Sequence, residues 1–327
     1  MAANAEHLKA LIQSHMSGDE TRFEAVTLQV AAKAARQGQH QLAADLKKLL
    51  ESTRREAVAP RRGVTALAQP RGDVADLVTA TYPDTALAEL VVPAPLMGQL
   101  KRVVLEQRQQ DRLKALGFAP AHRLLLTGPP GTGKTMSARA LAHELSVPLL
   151  SVRLDSVLSK YMGETAAKLR VVFDAAAEQR AVFLFDEFDA LGADRSGNDV
   201  GEARRVLNSF LVFLENAPAH SVIVAATNHR ELLDRALFRR FDLAIDFTMP
   251  STMACREIVK RRLRGLSGTI AWKKLDELIE GRSPAELVAV AETAAKDAIL
   301  AGDEKVGTAH LLTALAERSR VAGASTN

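Results

Sequence analysis

Residues 124–145 join an apolar run, a glycine-rich loop and an alanine-rich helical pattern. The loop reads Gly128-Pro129-Pro130-Gly131-Thr132-Gly133-Lys134-Thr135, and Met136 follows it at the start of the helical pattern. Small residues let consecutive backbone N–H groups close around phosphate oxygens, and the helix N-terminus adds about half a positive charge. The Lys134 ammonium can then reach terminal phosphates, and the Thr135 hydroxyl can coordinate Mg²⁺. A strand, a phosphate-binding loop and a helix are therefore predicted, although a plain glycine turn would share part of this pattern.

Composition narrows the class of protein. The 327 residues are 47% hydrophobic and 25% charged, which is typical of a globular chain with two or three domains. No apolar run approaches the about 20 residues that cross a bilayer, and the first residues lack the apolar segment of a signal peptide, so a cytoplasmic location without membrane contact is expected. Cys255 is the single cysteine, which excludes an intrachain disulfide.

The chain divides into four predicted regions. Apolar stripes at helical spacing predict a small helical bundle over residues 1–56, and a segment rich in arginine, proline and glycine predicts a basic linker over residues 57–75. Strands and helices then alternate over residues 76–250, which predicts an α/β subdomain with a parallel sheet. Helical patterns alone fill residues 251–327, where a helical lid subdomain is expected.

Short apolar runs mark the strands of the α/β subdomain. After the strand that precedes the glycine loop, such runs lie at residues 148–154, 181–185, 221–226 and 243–247. Their composition suits strands that are buried on both faces of the sheet. Ligands bind at the carboxyl ends of parallel strands, and the polar motifs of the sequence fall there.

Two of these strands end in polar residues with separable roles. Asp186 and Glu187 follow the third of the five predicted strands, and successive strand side chains point to opposite faces. Asp186 is therefore suited to hold Mg²⁺ through its water shell, while Glu187 can polarise the water that attacks a γ-phosphate. Asn228 follows the next strand and can sense that phosphate and the water, although an asparagine there could also simply cap a helix.

Taken together, the motifs resemble those of a known family. They are the glycine loop, Tyr161-Met162-Gly163-Glu164-Thr165, Asp186-Glu187, Ala225-Ala226-Thr227-Asn228, Arg239-Arg240-Phe241-Asp242 and Gly281-Arg282-Ser283-Pro284-Ala285-Glu286-Leu287. This set looks like the AAA branch of the AAA+ ATPases over residues 87–316. The resemblance implies a P-loop AAA+ core with a helical lid, ATP and Mg²⁺ as ligands, and hydrolysis that depends on assembly into a ring.

The resemblance also assigns roles to residues outside the glycine loop. It makes Arg239 and Arg240 candidate arginine fingers that enter the nucleotide site of the next subunit, whereas the residues alone are equally compatible with a solvated basic turn. The Pro-Gly insert that usually separates the two arginines is absent, and Arg240 is the closer match. Gly281, Ser283 and Ala285 match the lid motif that contacts adenine and ribose, although Pro284 replaces the usual glycine.

Further motifs point to the centre of a ring. By resemblance, Tyr161 and Met162 form a pore loop that grips a polypeptide, although a tyrosine packed at a domain edge would look the same in sequence. Residues 194–205 match a second pore loop with basic positions. The usual Asp-Gly-Phe after the following helix is replaced by Glu215-Asn216-Ala217, so communication between subunits is expected to differ there.

The expected function is an ATP-driven homo-oligomeric ring, a hexamer in the family, that unfolds or remodels protein substrates by threading them through its pore. Two alternatives remain at this point. A nucleic-acid-directed ATPase such as a helicase loader would use the basic linker, but the pore tyrosine and the small net charge of +4 make nucleic acid an unexpected partner. An ATP-dependent switch could instead control a separately encoded protease or effector.

Overall fold

The structure is a computed structural model that describes residues 72–158, 163–191, 200–232 and 235–324, all within one unit of the chain, Ala68–Asn327. The predicted bundle, residues 1–56, lies outside the described residues. So do most of the predicted linker and the two predicted pore residues, Tyr161 and Met162.

A six-stranded sheet forms the centre of the described region. Its strands are β1 (Val78–Thr81), β2 (Arg123–Thr127), β3 (Leu149–Val152), β4 (Val182–Phe185), β5 (Val222–Thr227) and β6 (Leu243–Asp246). They are arranged in the order β1-β3-β4-β5-β2-β6. All neighbouring pairs are parallel except β1 and β3, which are antiparallel. The predicted α/β fold is confirmed, and its sheet is mostly rather than wholly parallel.

Helices surround this sheet and continue beyond it. They are α1 (Asp73–Leu77), α2 (Ala94–Arg108), α3 (Gln110–Ala115), α4 (Lys134–Leu145), α5 (Leu154–Val157), α6 (Glu164–Glu178), α7 (Val200–Glu215), α8 (Arg235–Phe238), α9 (Thr252–Arg262), α10 (Asp276–Ile279), α11 (Pro284–Ala301) and α12 (Thr308–Ala324). Helix α1 begins within the last residues of the predicted linker. Short 3₁₀ turns lie at Leu87–Glu89, Phe188–Leu191, Arg230–Leu232 and Trp272–Lys274.

The central strands bury both of their faces, as the apolar runs predicted. In β2, Leu125 packs with the side chains of α6 and α7, whereas Leu124 and Leu126 pack with those of α2 and α4. Strand β6 differs from the prediction because it lies at the edge of the sheet, where Ile245 is buried but Ala244 is exposed. Strand β1 at the other edge was not predicted, since its four residues are short, threonine-rich and only partly buried.

The C-terminal helices have a hydrophobic core of their own, as a helical lid requires. Cys255 and Val259 of α9, Leu287 and Ala291 of α11 and Leu311 of α12 are all buried in it. Two serines define where the helices begin: Ser251 caps α9, and Ser283 forms a capping box with Glu286 at α11. The helical C-terminal part of the predicted fold is confirmed.

Candidate nucleotide site

The glycine loop lies between β2 and α4, at the carboxyl edge of the parallel strands. Gly128, Gly131 and Gly133 all have positive φ angles. A Cβ atom on Gly128 would lie 2.1 Å from the carbonyl oxygen of Phe247, and one on Gly131 would lie 2.8 Å from the Ser283 hydroxyl. Glycine is therefore required by contact as well as by backbone conformation, because the loop is pressed between β6 and the lid.

Lys134 points back across this loop. Its ammonium donates hydrogen bonds to the carbonyl oxygens of Gly128 at 2.6 Å and Pro129 at 2.8 Å, and to Oδ1 of Asn228 at 2.8 Å. Burial lowers the pKa of Lys134, and the nearby carboxylates of Asp186 and Asp189 partly oppose that shift. The structure thus brings Lys134 and Asn228 together, 94 residues apart in sequence.

The predicted metal ligands are also adjacent. The Thr135 hydroxyl donates to Oδ2 of Asp186 at 2.6 Å, which joins the start of α4 to the end of β4. Mg²⁺ is usually bound by one or two protein oxygens together with substrate phosphates and waters, and this pair supplies two oxygens of that kind. No cluster of three or more His, Cys, Asp or Glu side chains occurs within the described ranges, so a metal here would need ligands from its substrate.

Glu187 adopts an uncommon backbone conformation. Its φ is +52°, one of two positive values for non-glycine residues in the described chain, and its N–H donates to Asp186 Oδ1 at 3.0 Å. A left-handed conformation costs a residue of this kind about 1–3 kcal/mol, and such strain concentrates at functional sites. The turn leaves Glu187 exposed at the end of β4 while Asp186 is partly buried.

Three polar residues that the sequence analysis missed support these strand ends. Asp189 accepts a hydrogen bond from the buried Thr227 hydroxyl at 2.7 Å, immediately before Asn228. Asp246, at the end of β6, accepts hydrogen bonds from the Thr127 hydroxyl and the Arg230 guanidinium. Arg230 also lies 5.2 Å from the ring centroid of Phe238 in α8. A carboxylate at the end of β6 was the available sequence signal for Asp246.

The lid subdomain contacts the glycine loop. The Ala285 N–H donates to the Gly131 carbonyl at 3.1 Å, and the partly buried turn before it contains Gly281 with φ +73°. A cavity of about 310 Å³ lies beside this contact; its lining includes Val91, Val92, Thr132, Phe247, Ala254 and Pro284. A mostly apolar cavity next to a phosphate-binding loop suits a nucleotide base. Of the lid residues that were predicted to contact the base, Ser283 and Ala285 lie against the loop and Gly281 lies in the turn before them. Pro284, which replaces the usual glycine, lines the cavity.

The two arginines of the predicted finger motif lie at the amino ends of the parallel strands, opposite to the glycine loop. They follow α8 and precede β6, so they occur where the parallel strands begin. Arg240 forms an ion pair with Glu215 at the end of α7, and Arg239 is exposed. Asp242 accepts hydrogen bonds from the backbone N–H groups of His122 and Arg123, both at 3.0 Å. The structure therefore does not bring either arginine to the glycine loop of its own chain.

Comparison with known proteins agrees with this geometry. The sequence model of the family described as "ATPase family associated with various cellular activities (AAA)" matches residues 124–249. The chain is 32% identical over 320 residues to an uncharacterized AAA family ATPase, y4kL, of Sinorhizobium fredii, and the match covers 97% of this chain and 96% of that protein. This chain belongs to the AAA family of ATPases. It is accordingly a nucleotide-binding enzyme that hydrolyses ATP.

Other relatives of this AAA ATPase match over shorter parts. The proteasome-activating nucleotidase of Methanospirillum hungatei is 34% identical over 74% of this chain and 64% of its own length. Spastin of Drosophila willistoni is 37% identical over 55% of this chain, which spans only 24% of that protein. The crystal structure of the FIGL-1 AAA domain shares the fold, with a TM-score of 0.59 and 24% identity over 78% of this chain and 91% of that one.

Two sets of predictions fall outside what the structure describes. The pore residues Tyr161 and Met162 and residues 194–199, the first half of the second predicted pore loop, remain sequence predictions. In the described part of the AAA ATPase, no helix has both the length and the apolar character of a bilayer span.

Proposed function

We propose that this AAA ATPase assembles into a homo-oligomeric ring, a hexamer, that uses ATP hydrolysis to unfold or remodel polypeptides. The observation that carries the catalytic part is the convergence of Lys134, Thr135, Asp186 and Asn228. Lys134 contacts Asn228 at 2.8 Å, and Thr135 contacts Asp186 at 2.6 Å. The start of α4 supplies a cation and a hydroxyl, the end of β4 supplies a carboxylate, and the end of β5 supplies an amide. All four groups meet at the carboxyl ends of the parallel strands.

Within this site, the backbone of Gly128 to Met136 surrounds the phosphates and Lys134 neutralises the terminal ones. Its present partners are two backbone carbonyls and Asn228, all neutral, so a phosphate can replace them without separating an ion pair. Thr135 and Asp186 would hold Mg²⁺, which would screen the phosphate charge. The cavity lined by Thr132, Phe247 and Pro284 accepts the adenine. We assign Gly281, Ser283 and Ala285 of the lid to contacts with the same nucleotide.

Hydrolysis itself is assigned to the ends of β4 and β5. Glu187 orients and polarises the attacking water from an exposed position beside Asp186. Asn228 contacts the γ-phosphate with a neutral amide, which reports the presence of that phosphate without adding charge. Its hydrogen bond to Lys134 gives the sensor a direct link to the phosphate-binding cation.

The arginines act on a neighbouring subunit. Arg239 and Arg240 lie at the start of β6, and the paired strand β2 separates them from the glycine loop by about 13 Å, which is longer than an extended arginine side chain. We therefore assign them to the site of another copy, where an arginine finger is worth about 10³–10⁵ in rate. Such a head-to-tail contact forms a ring when its rotation closes, and this is the assembly that we propose.

A polypeptide substrate is supported by the kinds of relatives. One relative is named a proteasome-activating nucleotidase, and its match includes residues well beyond the core motifs. We assign Tyr161 and Met162 to the grip on the substrate, because an aromatic side chain can press against an extended chain of any sequence. A separately encoded protease or effector is a reasonable partner for the same reason.

A trapping experiment tests this proposal. Glu187→Gln protein is incubated with ATP and Mg²⁺, its assembly is measured by light scattering, and rings are imaged with an unfolded model protein or with single-stranded DNA. A ring that retains ATP and holds polypeptide density in its channel supports the proposal. A protein that stays monomeric with ATP, or a ring that holds DNA instead, contradicts it.

A further inference from the structure

The two adjacent arginines at the start of β6 have different surroundings. The Arg240 guanidinium is paired with the Glu215 carboxylate, and the Arg240 N–H donates to the Leu237 carbonyl at 3.0 Å. Arg239 is exposed and has no side-chain partner among the residues that the structure describes. One arginine is therefore committed to its own chain and the other faces outward.

The two arginines also differ in the net charge that each can offer to a phosphate. The Arg240 and Glu215 pair is neutral as a unit, and half of the Arg240 side chain and a third of the Glu215 side chain remain exposed. If Arg240 left this pair to contact a neighbouring triphosphate, the Glu215 carboxylate would remain close to that anion and would repel it. Arg239 can offer its full charge to a phosphate without uncovering a carboxylate.

The two residues that follow the arginines, Phe241 and Asp242, are held by contacts with the rest of the domain. Phe241 is 8% exposed, with its ring centroid 6.5 Å from that of Phe188, and Asp242 is bound to the backbone of His122 and Arg123. His122 Nε2 also lies 3.2 Å from the carbonyl oxygen of Ala217, two residues beyond Glu215. The segment Glu215 to Ala217 and the segment Arg239 to Asp242, the arginine turn, are thus both bound to His122, which fixes the spacing that the ion pair spans.

We infer that Arg239 is the arginine that contacts the nucleotide of the neighbouring subunit, and that Arg240 is a positioning residue held by Glu215. This inference rests on the proposed completion of the site by a neighbour and assigns the two roles within it. It reverses the expectation from the motif alone, in which Arg240 is the closer match. Glu215, which replaces the usual aspartate of the family motif, becomes part of the same positioning device.

Charge exchange separates a catalytic role from a positioning role. Single variants Glu215→Arg and Arg240→Glu place like charges together, and we expect each to lower the ATPase kcat of the assembled protein by about 10–100-fold, because the arginine turn is displaced. The double variant Glu215→Arg/Arg240→Glu restores an ion pair in which the positive and negative side chains have exchanged positions. Its kcat should return to within about threefold of wild type, a non-additive result that reports the pair.

Arg239→Ala supplies the second half of the test, with an expected loss of about 10³–10⁵ in kcat and unchanged ATP binding and assembly. Arg102→Ala is the matched control, since Arg102 is an exposed arginine that also pairs with a glutamate, Glu106, and should leave kcat unchanged. An inactive charge-exchanged double variant that still assembles, together with an active Arg239→Ala variant, would overturn the inference. Full activity of every one of these variants would instead contradict completion of the site by a neighbour.

Discussion

The glycine loop and the arginine turn lie at opposite ends of strand β2. They differ in whether their side chains find partners within one chain. At the carboxyl end of β2, Lys134 and Thr135 make their hydrogen bonds within the chain. At the amino end, Asp242 anchors the arginine turn while Arg239 projects outward without a partner in the described chain. In the proposed function, the loop is a complete binding site within one chain, and the turn is one part of a site that another copy completes.

This contrast separates binding from hydrolysis. Every group proposed to hold the phosphates belongs to one chain, so nucleotide binding should not depend on assembly. Hydrolysis should depend on assembly because, in our proposal, a neighbouring chain supplies the arginine that stabilises the transition state. Changes at the loop and at the turn should therefore have different signatures.

Among the changes at the loop and at the strand ends beside it, the largest effect is expected for Glu187→Gln, which removes the proposed base and keeps the shape of the side chain. ATP hydrolysis should fall by about 10²–10⁴ while ATP affinity is retained. Single-turnover hydrolysis and equilibrium binding measure the two quantities separately. Glutamine at the same positive φ experiences the same backbone strain, so a normal rate of hydrolysis would exclude Glu187 as the base.

Lys134→Ala should act on binding at every protein concentration. Loss of a charged hydrogen bond costs about 1.5–3 kcal/mol, and Lys134 contacts more than one phosphate in the proposed site, so ATP affinity should fall by about 100-fold or more. Calorimetric titration of the dilute protein checks this result. If the variant binds normally when dilute and loses affinity only when assembled, the loop is not a complete site within one chain.

Asp242→Ala should destabilise the arginine turn and leave the loop in place. Its removal leaves the N–H groups of His122 and Arg123 without their acceptor, so the free energy of unfolding should fall by about 3 kcal/mol. Denaturant titration at neutral pH provides the measurement, and Asp242→Asn, which keeps one acceptor oxygen, should lose less. Equal stability of Asp242→Ala and wild type would remove this anchor from the fold.

The Asp242 contribution also depends on pH. Burial alone would raise the pKa of its carboxyl group, but hydrogen bonds from His122 and Arg123 outweigh that effect and hold the pKa well below its usual value. The contribution to stability is therefore fully present above the unfolded pKa of about 3.9 and is lost as the pH falls toward the folded pKa. The stability difference between wild type and Asp242→Ala should shrink below about pH 4.

The smallest effect is expected for Ser283→Ala, at the contact between lid and loop. Loss of the capping hydroxyl of α11 should cost about 1 kcal/mol of stability. ATP affinity should change only slightly, because the backbone contact from Ala285 to Gly131 remains. Thermal unfolding with and without ATP checks both parts, and a strong loss of affinity at unchanged stability would give the hydroxyl a direct role in binding.

The same contrast explains what the sequence could predict. The glycine loop is contiguous, and each strand that ends at the site is marked by an apolar run followed by a polar residue, so Lys134, Asp186 and Asn228 were found from local pattern. Asp189 and Arg230 were missed because their partners, Thr227 and Asp246, become neighbours only when the sheet forms. Likewise, the pairing of Arg240 with Glu215 crosses two elements and has no local signature.

The sheet edges were also less predictable than its centre. Central strands such as β4 are apolar on both faces, whereas β1 has a short threonine-containing sequence that pairs at the edge with β3 alone. Edge strands need fewer apolar residues, so their sequence signal is weaker. Predictions for Tyr161 and Met162 remain predictions because those residues lie outside the described structure.

Mixing two inactive variants tests most directly whether a neighbour completes the site. Lys134→Ala chains keep their arginines but cannot hold ATP, and Arg239→Ala/Arg240→Ala chains hold ATP but offer no finger. If the subunits pair at random, about one quarter of the interfaces in an equal mixture combine an intact loop with an intact arginine turn. ATPase activity should then appear in the mixture at about that fraction of the wild-type rate. A mixture as inactive as either variant alone, with mixed assembly verified, would contradict completion of the site by a neighbouring chain.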